Sequence, residues 1–131
     1  MNLLNNLNGI NSLILIKMKH TEEQINKLAK KVIDDVKWTY EEGSFASIFH
    51  DLEEQYEKYK KFDGFEENKH KIFPYWLVTL DFPEAEDWKG RNIMLVYIND
   101  ETGEPYEIGH RQFRVGLQKN SNGKYEITER S

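Results

Sequence analysis

The stretch from Phe73 to Gly109, FPYWLVTLDFPEAEDWKGRNIMLVYINDETGEPYEIG, constrains the fold of this chain more than any other. Trp76, Val78, Leu80 and Phe82 share one parity and Tyr75, Leu77, Thr79 and Asp81 the other. Ile93, Leu95 and Tyr97 alternate in the same way with Met94, Val96 and Ile98. A period of two in runs this short, rich in β-branched and aromatic residues and bounded by Pro, Gly and Asn, predicts strands. Asn99-Asp100-Glu101-Thr102-Gly103 supplies turn side chains and a glycine for positive φ, so strand 91–99 turns back into strand 104–109. Pro83 to Gly90 reads as the loop that joins the first strand to this hairpin. Apolar residues occupy both faces, and the reading is that helices cover one of them while the other stays partly exposed.

Helical periodicity precedes this block. Thr21 and Gln24 form a capping box, and Ile25, Leu28, Ala29, Val32, Ile33 and Val36 make one apolar stripe. A first helix is expected to run to about Trp38. A second is expected from Ser44, with Phe45, Ile48, Phe49, Leu52, Tyr56 and Tyr59 on its stripe and Gly64 as its stop. Residues 65–72 read as a loop. After the central hairpin, RQFRVGLQK and KYEITE flank Asn122-Gly123, a strong hairpin signal. Tyr106, Ile108 and His110 share one parity and Phe113, Val115 and Leu117 the other, so a bulge or sharp bend is expected between Gly109 and Phe113. The predicted fold is α+β: two N-terminal helices packed on a curved antiparallel sheet of about four strands.

At 131 residues the chain is read as a leader, 1–17, followed by one α+β domain, 18–131. The Asn-rich leader is expected to be mobile, ahead of an alternative start at Met18. It lacks the basic region, apolar length and cleavage site of a signal peptide. No run reaches the length of a transmembrane helix. The absence of cysteine excludes disulfides and thiolate metal sites and fits a cytoplasmic setting. A formal net charge of −5 argues against nucleic acid and anionic membranes as partners and favours a basic protein.

Chemistry-bearing motifs are few. No zinc, calcium, nucleophile-elbow or phosphate-loop spacing occurs, so neither metal nor cofactor is expected. His50 and Asp51 are adjacent and diverge on a helix, and His20 and His70 are placed in solvent. Asp100, Glu101 and Glu104 gather at a turn, where carboxylates ordinarily serve the backbone. The loop with Asp81, Glu84, Glu86 and Asp87, followed by Trp88, combines a carboxylate patch with an aromatic anchor for a basic partner.

The order YWLVTLDF…KGRNIMLVYINDETGEPYEI, an aromatic strand, an apolar strand, a Thr-Gly turn and a short strand, resembles small bacterial domains of the PepSY, YrhB-like and related immunity-protein type over residues 75–108. The resemblance implies a non-enzymatic inhibitor that blocks a toxin through an acidic surface, and it assigns no functional residue. Two readings of function therefore stand. One is a cytoplasmic immunity-type binding protein that contacts a basic toxin through Asp81, Glu84, Glu86, Asp87 and Trp88. The other is a ligand-binding or enzymatic domain with a pocket lined by Tyr97, Tyr106 and His110. A monomer and a homodimer joined through the sheet are both compatible with the sequence.

Overall fold

A computed structural model describes residues 18–81, 93–110 and 113–130. The leader 1–17 and the segment 82–92, which includes Glu84, Glu86, Asp87 and Trp88, lie outside the described residues. The fold is α+β with an antiparallel sheet. In chain order come α1 (Glu22–Asp35), β1 (Ala46–His50), α2 (Leu52–Tyr59), α3 (Phe65–Asn68) and a short 3-10 turn, Lys69–Lys71. Then follow β2 (Tyr75–Asp81), β3 (Ile93–Asn99), β4 (Pro105–His110), β5 (Phe113–Lys119) and β6 (Tyr125–Arg130). The sheet has six strands in the order β1-β2-β3-β4-β5-β6, each antiparallel to the next.

The sheet exceeds the expected four strands because residues 46–50, expected in a helix, form β1, and the expected single bent strand around Gly109 to Phe113 is two strands, β4 and β5. The clearest correction is β1. Residues 46–50 are extended, not the first turn of a helix from Ser44. Ser44 Oγ instead donates to the Glu41 carbonyl at 2.6 Å and accepts the Asp81 N–H at 3.0 Å, fastening the start of β1 to the end of β2. The helix begins one strand later. Asp51 is its N-cap and accepts the Glu54 N–H at 2.7 Å. Five residues satisfy both a helical and an extended pattern, and pairing with the open edge of β2 decides between them. The expected loop 65–72 contains α3 and the 3-10 turn, so the described residues hold three α-helices rather than the two expected.

The change of parity before Phe113 also has a different cause from the one expected. His110 pairs with Phe113 across an antiparallel ladder, so the chain reverses there and begins a new strand. Register shifts occur elsewhere, between Tyr97 and Ile98 in the β3–β4 ladder and between Val115 and Leu117 in the β5–β6 ladder. In the first, Tyr97 faces Glu107 and Ile98 faces Pro105, which leaves Tyr106 as the extra residue of a bulge.

Among the described residues, α1 alone packs broadly across the strands. Its Ile25, Ala29, Val32 and Ile33 are fully buried against Trp76, Val78, Leu80, Met94, Val96, Ile98, Ile108 and Val115. Those strand residues share one face of the sheet by alternation and register. The helix stops three residues short of Trp38. The Trp38 N–H reaches the Ile33 carbonyl and the Lys37 N–H the Asp34 carbonyl, each at 3.1 Å, with Lys37 at φ 63°. This is a Schellman stop made without glycine, and it turns Trp38 back edge-on to Phe113 at 5.7 Å.

Both ends of α1 are tied to the sheet by carboxylates. At its end, Asp35 accepts the Tyr125 N–H at 3.0 Å and pairs with Lys31 one turn earlier, reaching β6 at the far edge. Burial acts to raise the Asp35 pKa, but the Lys31 ammonium and the Tyr125 N–H outweigh it and hold the carboxyl below its ordinary value. A depressed carboxyl stabilises the fold above its unfolded value of about 4 and loses that contribution as pH falls through the folded value. Asp35→Asn is therefore expected to lower stability at neutral pH by about 1–2 kcal/mol. The gap to the parent should close in acid; urea unfolding at neutral and acid pH measures both, and a pH-independent gap would contradict the linkage.

Candidate functional site

The face of the sheet opposite α1 carries a continuous row of rings. His50 on β1 stacks on Tyr75 of β2 with centroids 4.9 Å apart. Tyr75 lies 6.1 Å from Tyr97 of β3, and Tyr97 lies 6.0 Å from Tyr106 of β4. Phe73, just before β2, meets Tyr106 edge-on at 5.3 Å. The Arg114 guanidinium on β5 sits 5.7 Å from the Tyr97 centroid and pairs with Glu107 at 2.7 Å. The row thus crosses five strands. Alternation delivers Tyr75, Tyr97 and Arg114 to this side, and the β4 bulge adds Tyr106.

These rings are half-buried. Burial raises the phenol pKa values of Tyr75 and Tyr106, so both hydroxyls stay protonated and serve as hydrogen-bonding groups instead of bases. The Arg114 pKa is raised, chiefly by the Glu107 carboxylate, so its positive charge is secure. Ile48, on the same side of β1, is 55% exposed. Large aromatic and aliphatic groups with one guanidinium and few exposed carboxylates are the composition of a protein contact surface.

Of the residues expected at a pocket, Tyr97 and Tyr106 do come together. His110 does not join them. By alternation it stands on the side of Ile108, stacked on Phe113 at 4.8 Å, and the histidine beside Tyr75 in the row is His50. Two open clefts of about 400 and 390 Å³ are lined by other residues: Phe49, Leu52, Tyr56 and Pro74 in one, His20, Ser47, Phe49 and Trp76 in the other. Of the residues expected at the acidic loop, Asp81 is the one described, as the last residue of β2 on the ring-bearing side.

The turn acids serve the fold. Asp100 is fully buried, and its carboxylate accepts the Lys19 N–H and the Trp76 Nε1–H, each at 2.9 Å. His20 Nδ1 lies 3.0 Å from the same group. His20 is therefore a partner of the turn and not a solvated residue. Gly103 makes this possible, because a Cβ there would stand 2.8 Å from His20 Nε2 and its φ is +73°. Among the described residues no group of three His, Cys, Asp or Glu side chains is placed to hold a metal. No described helix is long and apolar enough to cross a membrane.

Compared with protein-family models, with curated proteins and with solved structures, the sequence gives no match.

Proposed function

We infer that this protein is a protein-binding domain that captures a basic partner through the ring-bearing face of its sheet, in the manner of an immunity-type inhibitor of a toxin. The observation that carries this reading is the row from His50 to Arg114, rigidly mounted on five strands and left uncovered by α1. Rings fixed on a sheet lose little freedom on contact, which makes them effective anchors. The formal charge of −5 draws a basic partner in, and the acidic segment Glu84, Glu86 and Asp87 follows directly on Asp81 at the end of β2. The toxin-inhibitor form of the reading rests on the resemblance of residues 75–108 to immunity-type domains, and a cytoplasmic site of action on the cysteine-free sequence.

The test is binding to the product of a neighbouring reading frame where that product is a basic protein, followed at low and high salt. Reversing Glu84, Glu86 and Asp87 to lysine is expected to slow association about tenfold or more at low salt, with the difference shrinking as salt screens it. Tyr97→Ala should instead speed dissociation by about tenfold or more. Binding that ignores both changes would dismiss the reading.

A further inference from the structure

The two edges of the sheet are guarded differently. The β6 edge carries the exposed carboxylate of Glu126, a charge of the kind that blunts an edge against further pairing. The β1 edge, Ala46–His50, has no Asp, Glu, Lys, Arg or Pro, and its register with β2 runs from Ala46 to His50 without a shift. Ile48 at its centre is more than half exposed. Among the described residues β1 has β2 as its one strand neighbour, so its outward N–H and C=O groups face no ladder.

The charge around this edge is one-sided. Residues 38–57 contain six carboxylates, Glu41 and Glu42 before β1 and Asp51, Glu53, Glu54 and Glu57 after it, and no Lys or Arg. Lys30 pairs with Glu42 at 3.3 Å and Lys60 with Glu57 at 2.9 Å, which offsets part of this charge, and His50 Nδ1 lies 2.9 Å from Glu54. A second copy pairing antiparallel on β1 would bring Glu41 and Glu42 of one chain beside Asp51 and Glu53 of the other. A parallel copy would oppose like with like. Either arrangement is repulsive, whereas an extended segment with basic ends is attracted at both.

We propose that the β1 edge receives an extended segment of the partner, apolar at its centre and rich in Lys or Arg on both sides, as a seventh strand. This deepens the protein-binding reading above and rests on it. Main-chain hydrogen bonds to the outward side of β1 supply the attachment, Ile48 sets which side chain lies beside it, and the flanking carboxylates set the charge of the ligand.

Hydrogen exchange of the full chain tests this with two blocked peptides that share a threonine–valine core, one flanked by lysines and the other by glutamates. The lysine-flanked peptide is expected to slow exchange of β1 amides and to bind about tenfold or more tighter than its counterpart, an advantage that salt erodes. Ile48→Lys, a change at an exposed position, should weaken it by about tenfold. Three results would overturn the proposal: no β1 protection by either peptide, protection confined to the ring-bearing face, or β1 protection in the protein alone that grows with concentration alongside a doubled mass. The last would make the occupant a second copy. If the neighbour-encoded protein binds in a salt-dependent way while Ile48→Lys leaves it untouched, the edge assignment fails and the partner reading survives. If that protein does not bind, the partner reading fails whatever the peptides do.

Discussion

Asp100→Ala is expected to lose about 3–5 kcal/mol of stability, the cost typical of breaking a buried charged network by removing one member. The carboxylate has no contact with water, and three groups depend on it. Without it the Trp76 indole N–H lies buried with no acceptor, and the Lys19 N–H and His20 lose the contact that brings them onto the β3–β4 turn. The segment before α1 should then detach from that turn. Urea unfolding followed by Trp fluorescence reads the loss, and faster amide exchange at residues 19–21 reads the detachment. Asp100→Asn keeps the shape and an acceptor oxygen and should recover part of the difference. A loss under about 1 kcal/mol for the alanine variant would mean that the network adds little beyond its own desolvation cost.

Ile98→Ala is expected to cost about 2–5 kcal/mol, because the residue is fully buried between α1 and the sheet and cannot be replaced by water. Ile48→Thr, on the opposite side of the sheet, should change stability by no more than about 0.5 kcal/mol. The pair of variants distinguishes the two faces directly. Comparable losses at both positions, measured by thermal and urea unfolding, would show that the outer face is covered in solution and would remove the contact surface along with the edge proposal.

Much of the central sheet was readable because β2 and β3 are buried in alternate positions only. Period two is then imposed on the sequence by the core, and Trp76, Val78, Leu80, Met94, Val96 and Ile98 all follow it. The start of α1 was readable for a different reason. A capping box is a local device: Thr21 accepts from Gln24 at 3.1 Å and Gln24 answers at 2.8 Å within one turn. The turns at Gly103 and Gly123 were legible because positive φ favours glycine.

The candidate site was legible only in part. Tyr97 and Tyr106 were chosen together for the pocket, and a bulge does bring them together, although the bulge lies at Tyr106 and not at the parity change near His110. Nothing local assigns His50 to that row, since its place depends on β1 pairing with a strand that begins at residue 75. The same long-range pairing overrode the helical stripe through Ile48 and Phe49. The one local clue against a helix from Ser44 was Asp51 followed by Glu53 and Glu54, which is itself a helix start.

The sequence by itself determined that this chain builds an antiparallel sheet behind an amphipathic helix, because burial on one side of each element writes its period into the order of residues. Only the tertiary structure decided that the sheet has six strands, that Asp100 draws residues 19 and 20 onto a distant turn, and which histidine joins the ring row. Those outcomes depend on groups far apart in the chain, here separated by 81 residues for Lys19 and Asp100. No local pattern carries such a pairing. It is settled by which buried donors and open strand edges find partners when the helix closes over the sheet.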